Sequence, residues 1–400
     1  MNSLPIENLS PERALLICAV RSAISKNPSI DFPAVVDPSI DWAIVADEAV
    51  YHGVVPQLYG VLQKTGSEFL PAEMHEWLQD SFQNNLKHNL ILTGELWRIL
   101  ARFQEHGISA IPFKGPTLAM LAYGDLAWRE FTDLDILVDE RDLAQVGELL
   151  VSAGYQARAE LSLLSDPVFT AIEREFYFTN ARSGTLIDLQ WHLSSTILPF
   201  AMNLEHIGKN QITVLPGGKQ MATLGLEDLL LYLCAHGSRH CWERLGWIAD
   251  VAGLINLNPQ LDWDVAWSRA RAMKCERVLL HGLLLAQDLT GAQIPQAIEQ
   301  LARADAGSCA LAASIGRILA EPLGRSTNKF DLHRYFLKLQ NRPADQFRHL
   351  LRLVFAPTVI DWEFWPLPSA LVFLYPLIRL IRLIAEHLPF TAPPKHKTES

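Results

Sequence analysis

Two aspartates separated by one apolar residue are the part of the sequence best suited to chemistry. Asp133 and Asp135 open the run DLDILV, which is typical of a buried strand. Side chains alternate between the two faces of a strand, so both carboxylates point the same way, about 6.6 Å apart along the backbone. Carboxylates placed in this way repel each other unless a cation lies between them. A divalent cation with oxygen ligands, such as Mg²⁺, suits the pair.

A third carboxylate occurs in a similar setting further along the chain. Asp188 is the lone acid in the strand-like run LIDLQW, which spans residues 186–191. If this strand pairs beside that of Asp133 and Asp135, the three carboxylates converge. Such a set can hold two metal ions that stabilise the attacking and leaving oxygens of a phosphoryl displacement. The pattern therefore predicts two Mg²⁺ ions, or Mn²⁺ in their place.

A lysine and a glycine precede these acids at a predicted junction between a strand and a helix. Gly115 would let backbone amides approach a phosphate, and the N-terminus of the following helix would favour its negative charge. Lys114 would supply a point charge to a triphosphate. Arg129, four residues before Asp133, could hold phosphate oxygens or a base, or it could pair with an aspartate.

Two histidines lie four residues apart on one face of a predicted helix. The spacing of His236 and His240 can bind a metal, but the sequence offers neither a nearby acid nor a third ligand to complete a zinc motif. Their face also carries Leu229 and Leu233, a mixture expected of a cleft wall. We therefore expect His236 or His240 to lie near Asp133 or Asp188, on the acceptor side.

The surrounding patterns predict an α+β protein with a mixed sheet between helical regions. Short apolar runs predict strands at 108–113, 133–138, 175–180 and 186–191, with helices between them. The chain of 400 residues is long enough for two or three domains. We expect four segments: a helical N-terminal region (1–105), the α/β core (106–215), a helical domain (216–320), and a basic and apolar helical extension (321–400).

Composition narrows the functional classes. The chain has 34 basic and 44 acidic residues and a formal charge of −10, which argues against coating nucleic acid by bulk charge. Five cysteines without a CxxC pair predict reduced thiols in a cytoplasmic protein. No signal peptide is visible. The uncharged run 364–378 contains three prolines and is too short to span a membrane.

Two stretches near the C-terminal end differ from this acidic background. Residues 325–352 contain seven basic and two acidic residues, which suits a solvated helical face, an RNA contact or an interface with anionic lipid. The apolar stretch 371–388 includes Arg379 and Arg382 and suits peripheral membrane contact. The simpler expectations are a solvated face for the first and packing against the helical domain for the second.

The order strand, Lys-Gly, helix, Arg-x-x-Thr-Asp-hydrophobic-Asp and a third strand Asp resembles the DNA-polymerase-β-like nucleotidyltransferase superfamily. More narrowly, the chain resembles an uncharacterised bacterial nucleotidyltransferase family often found beside gene clusters for peptide natural products and polysaccharides. Residues 51–56 and 236–250 match further segments of that family. A similar pattern occurs in abortive-infection nucleotidyltransferase toxins.

The resemblance implies transfer of a nucleoside monophosphate from an NTP, such as ATP, to an unidentified small molecule, peptide or protein, with release of pyrophosphate. It implies catalytic and metal-binding roles for Asp133, Asp135 and Asp188. The nucleotide-binding residues that it implies are Lys114, Gly115, Arg129 and Thr132. Pro116 departs from the usual Gly-Ser or Gly-Gly and removes one backbone donor, so phosphate contact should depend more on Lys114.

Two other functions remain open at this point. One is a catalytically silent protein that binds a nucleotide or a partner; the three carboxylates weigh against it. The other is a toxin-like enzyme that modifies tRNA. Only the basic stretch 325–352 favours nucleic acid as the acceptor, and the net acidity weighs against it.

Overall fold

The computed structural model describes residues 9–25, 39–65, 70–194, 198, 200–320, 329–365, 367 and 369–387. Helices dominate these residues and surround a small mixed sheet, in agreement with the α+β class that the sequence predicts. The helices before the sheet are α1 (Pro11–Ile24), α2 (Trp42–His52), α3 (Val55–Thr65) and α4 (Ala72–Glu105).

Local sequence signals explain where these first helices begin. Asp41 accepts hydrogen bonds from the amides of Ala43 and Ile44 and so caps α2. Pro71 immediately precedes α4. Within α4, Asn89 Nδ2 donates to the carbonyls of Leu126 and Arg129, over 2.7 and 2.8 Å. The N-terminal region thereby fixes the segment that leads into the aspartate strand.

A five-stranded sheet forms the centre of the molecule, in the order β1-β2-β5-β4-β3. Strand β2 is antiparallel to β1 and parallel to β5, and β4 is antiparallel to both β5 and β3. Two hairpins, β6–β7 and β8–β9, follow the sheet. The strands are β1 (Ala110–Pro112), β2 (Asp133–Val138), β3 (Gln156–Ala157), β4 (Glu175–Thr179), β5 (Leu186–Gln190), β6 (His192–Ser194), β7 (Ala201–Asn203), β8 (Ile212–Val214) and β9 (Met221–Thr223). The helices within this region are α5 (Gly115–Tyr123), α6 (Leu143–Ser152), α7 (Pro167–Ile172) and α8 (Leu204–Ile207).

The register of the central strands places acidic residues side by side. Asp135 of β2 is the direct partner of Asp188 in β5, while Asp133 is the partner of Leu186. In β4, Tyr177 is the partner of Asp188. The alternate residues of β2 and β5 are buried, as Leu134 and Ile187 illustrate. One face of the sheet therefore packs into the core and the other presents polar groups.

Two glycines permit close approaches near this polar face. Gly115, at the first position of α5, has φ +49°, a conformation that favours glycine. A Cβ on Gly253 would lie 2.4 Å from the carbonyl oxygen of Ala122. The small residue thus lets a later helix pack directly on α5.

That later helix belongs to a helical region which shares one continuous hydrophobic core with the sheet. The expected boundary at residue 215 falls within the β8–β9 hairpin, and the first long helix after it begins at Leu226. The helices are α9 (Leu226–Arg239), α10 (Leu245–Leu257), α11 (Trp263–Met273), α12 (Glu276–Thr290), α13 (Gln296–Ala304) and α14 (Ala306–Ala320).

The C-terminal extension comprises α15 (Lys329–Leu339), α16 (Pro343–Phe355), α17 (Val359–Phe364) and α18 (Tyr375–His387). Contrary to the expected packing of 371–388 on the helical domain, Tyr375 and Ile378 form a small separate core with Val168 of α7. The reason is electrostatic: Asp361 is buried and binds both Arg379 (3.1 Å) and Arg382 (2.7 Å). This network holds α18 against α17, beside the sheet.

Part of the expected basic stretch, including Arg325, lies outside the described residues, as does Leu388 at the end of the apolar stretch. Among the helices that are described, none combines the length and apolar character needed to cross a bilayer.

Candidate active site

A cleft of about 450 Å³ opens over the polar face of the sheet. Its walls come from β2, β4, β5, α9 and the loop between α16 and α17. Of the residues predicted from the sequence, Lys114, Asp133, Asp188, His236 and His240 line it. The other lining residues include Arg174, Glu175, Tyr177, Gln190, His192, Tyr232, Arg239, Pro357 and Thr358.

Lys114 lines this cleft and is held by a buried acid. Its Nζ lies 2.5 Å from Oδ1 of Asp135, and both side chains are largely buried. Burial by itself lowers the pKa of Lys114, but the nearby charges of Asp135, Tyr232 and Asp133 raise it above its ordinary value. The ammonium therefore stays charged and neutralises one carboxylate of the polar face.

Asp188 lies beside this ion pair and carries a second buried carboxylate. Its Oδ2 accepts a hydrogen bond of 2.7 Å from Nε2 of Gln190. Burial, followed by the charges of Asp135 and Glu175, raises the pKa of Asp188 well above its usual range. Burial likewise raises the pKa of Asp135. The single ammonium group of Lys114 therefore lies near two adjacent carboxylates, those of Asp135 and Asp188. When both carboxylates are ionised, the group neutralises only half of their charge.

The three carboxylates predicted to bind metal lie on two neighbouring strands, Asp133 and Asp135 on β2 and Asp188 on β5. Within the described ranges, no three His, Cys, Asp or Glu side chains are grouped so that they could hold a metal ion. In the register of these strands, Asp135 pairs with Asp188 and Asp133 pairs with Leu186. Lys114 already occupies one side of Asp135. Two adjacent carboxylates remain, with Asp133 further along the same cleft.

His236 and His240 line the cleft from the last turn of α9 and its C-terminal cap. Their ring centroids are 4.8 Å apart, and both rings contact Trp247. Burial lowers the pKa of His236 well below its usual value and that of His240 to about 4, and the charges of Lys114 and Arg239 act in the same direction. Both imidazoles are neutral near pH 7, so they offer hydrogen bonds and ring surface rather than charge.

Arg129 and Thr132 line a different cavity, of about 140 Å³. Nε of Arg129 donates to both carboxylate oxygens of Asp250, over 3.0 and 3.1 Å. Tyr123 donates to the same aspartate. The sequence left open whether Arg129 holds a nucleotide or pairs with an aspartate. In the structure it pairs with Asp250.

Several polar residues of the cleft were missed by the sequence reasoning. Tyr177 donates a 2.7 Å hydrogen bond to Glu175 Oε1, and Nη2 of Arg239 lies 4.0 Å from the same oxygen. Arg174 and His192 complete this side. The sequence did contain a signal for two of these residues, because Glu175 and Tyr177 alternate with buried phenylalanines in the strand EFYFT. Their alternation places them on the polar face next to Asp188.

The smaller cavity contains a buried histidine that should make stability depend on pH. Burial lowers the pKa of His52 to about 4, and the charges of Arg13 and Arg244 contribute to the shift. Its Nδ1 accepts a hydrogen bond from the amide of Leu245. The unfolded chain binds a proton at this histidine below about pH 6.5, whereas the folded chain does not until about pH 4. The contribution of His52 to the free energy of unfolding is therefore complete above about pH 6.5. It is lost as the pH falls toward the folded-state pKa of about 4.

We expect His52→Asn to remove this part of the pH dependence. Between pH 7.5 and pH 4, the free energy of unfolding of the wild type should fall by about 3 kcal/mol more than that of the variant. Urea titrations across this range measure the difference. His88→Asn, at an exposed position of α4, is the matched control and should follow the wild type. Parallel profiles for the wild type and His52→Asn would contradict the prediction.

Comparisons with known proteins place the chain in a family. Residues 38–291 match the model of a family described as uncharacterised nucleotidyltransferase. A crystal structure of an antigenic nucleotidyltransferase-like protein from Paracoccidioides brasiliensis is 13% identical, with a TM-score of 0.32, over 50% of this chain and 92% of that chain. A search of curated protein sequences gave no match. The family match covers more than half of the 400 residues, and the chain therefore belongs to the family of uncharacterised nucleotidyltransferases.

Proposed function

We propose that the protein transfers a nucleoside monophosphate from an NTP to an acceptor, with release of pyrophosphate, and that this depends on a divalent metal ion. The observation that carries the proposal is the direct pairing in register of Asp135, which binds Lys114, with Asp188; both Lys114 and Asp188 line the cleft. The family match supports the same class of reaction.

Two carboxylate oxygens of the site suit a divalent cation. Oδ2 of Asp135 and Oδ1 of Asp188 are buried and accept no hydrogen bond within the described structure. Such oxygens carry a desolvation cost unless a partner neutralises them. Asp135 and Asp188 would hold the ion, with phosphate oxygens and water as its other ligands, as is common for Mg²⁺. When bound, it would stabilise charge that develops on the phosphoryl oxygens.

The roles of the chain's own groups follow from their charge and place. Lys114 and Arg239 line the cleft as cations and would bind the phosphates. Asp188, which lines the cleft, would accept the proton of the attacking acceptor hydroxyl. The neutral rings of His236 and His240 would form the wall against which the acceptor lies.

Transfer of label tests the proposal. The purified protein is incubated with each α-³²P-labelled NTP, Mg²⁺ and a cell lysate, and labelled products are separated from nucleotide. We expect a labelled acceptor with at least one NTP and loss of label when Mg²⁺ is chelated. If the protein binds NTP but releases pyrophosphate from none of the four NTPs, it is a catalytically silent binder, and the proposal is contradicted.

A further inference from the structure

Two of the C-terminal helices, α16 and α18, bury charged side chains and expose many of their apolar ones. A surface helix of a water-soluble protein normally turns its apolar stripe to the core. In α16 the buried side includes Asp345 and His349. Its exposed side instead carries apolar residues, namely Phe347, Leu350, Leu351, Val354 and Phe355.

Helix α18 buries Tyr375 and Ile378 but also exposes apolar side chains. Arg382 faces inward and pairs with Asp361, while Leu377, Ile381 and Ile384 are exposed. Nη2 of Arg379 donates a 2.8 Å hydrogen bond to the carbonyl of Leu353, which ties α18 to α16. Further apolar side chains are exposed at α17 and just beyond it, namely Ile360, Phe364, Trp365, Leu371 and Phe373. We call the exposed apolar side chains of residues 347–384 the apolar face.

The charges that accompany the apolar face are mostly positive. Between residues 332 and 385, the exposed basic side chains are Arg334, Lys338, Arg342, Arg348 and Arg352. Glu363 is the exposed acid among the described side chains of that range. The whole chain, in contrast, has a formal charge of −10. Positive charge is thus concentrated on the unit that exposes apolar surface.

We propose that the C-terminal unit docks on the surface of an anionic lipid bilayer. Helices that lie in the interface immerse an apolar side in the acyl boundary, and basic residues add attraction to anionic headgroups. Aromatic side chains such as Trp365 suit the headgroup level. A second copy of the chain is a weaker candidate, because it would bring two sets of mostly basic residues together.

Vesicle flotation with the full-length protein tests this proposal and requires no nucleotide turnover. We expect the protein to float with vesicles of phosphatidylcholine and phosphatidylglycerol, to float much less with phosphatidylcholine alone, and to dissociate as salt is raised. The double variant Ile381→Ser/Ile384→Ser removes two exposed isoleucines and should lower the partition coefficient by at least about tenfold.

The chain offers a matched control elsewhere on its surface. Ile381 and Ile384 are 47% and 58% exposed, and Ile44 and Ile91, in α2 and α4, are 44% and 61% exposed. Ile44→Ser/Ile91→Ser should therefore float as the wild type does, and circular dichroism should show both variants folded. Failure of the wild type to float, or equal flotation of both variants, would overturn the proposal. A dimer that the Ile381→Ser/Ile384→Ser change dissociates would assign the apolar face to a second copy and would also overturn it.

Discussion

Replacing Asp188 by asparagine should reduce metal-dependent nucleotidyl transfer by at least about 10²–10³-fold. The change keeps the shape of the side chain but removes its charge and the proposed proton acceptor, and it replaces one carboxylate oxygen by an amide nitrogen. The initial rate of label transfer, with NTP and Mg²⁺ in excess, measures the effect.

Stability separates loss of chemistry from loss of fold in this variant. The pKa of Asp188 is raised in the folded protein, so its ionisation opposes folding as the pH rises through the folded-state pKa. Asparagine removes this cost, and the melting temperature at pH 8 should be equal to or higher than that of the wild type. Asp80→Asn, at an exposed site of α4, is the control and should retain full transfer. Undiminished transfer by Asp188→Asn would refute the assigned role.

The second large effect is expected from the buried ion pair. Lys114→Met leaves Asp135 without its cation, and loss of one partner from a buried pair costs about 3–5 kcal/mol of unfolding free energy. Asp135 can then reduce the cost by binding a proton, so the destabilisation should grow as the pH rises. Urea unfolding at two pH values measures it.

A double-mutant cycle gives the control for this prediction. Lys114→Met/Asp135→Asn has no unpaired charge at these two positions and should be less destabilised than the sum of the single changes. Additive losses in the cycle would show that the 2.5 Å contact contributes little coupling energy. The ion pair would then be unimportant for stability.

The sequence was most informative where local pattern determines structure. Strand β2 has the predicted bounds, and the same alternation predicts that Asp133 and Asp135 share a face. The pairing of Asp188 with Asp135 could be seen only in the folded structure, because more than fifty residues separate them in the sequence. Likewise, Arg129 lies 121 residues from Asp250, and no local signal identifies that acid as its partner.

The orientation of the C-terminal helices was beyond sequence reasoning for a different physical reason. A periodic pattern predicts that α16 and α18 each have an apolar side, but it does not say which side meets the protein. That choice depends on Asp361, whose buried carboxylate holds Arg379 and Arg382. With these three charges buried together, Leu377, Ile381 and Ile384 of α18 remain exposed, while Tyr375 and Ile378 are buried.

The loop between α16 and α17 connects the candidate active site to the C-terminal unit. Pro357 and Thr358 line the cleft, and Thr358 Oγ1 donates to Asp361 Oδ2 over 2.7 Å, the carboxylate that also holds α18. A wall of the candidate active site is thus built from the unit proposed to bind lipid. Thermodynamic linkage makes such an arrangement reciprocal: if lipid binding moves this loop and changes the affinity for nucleotide by some factor, then nucleotide must change the affinity for lipid by the same factor.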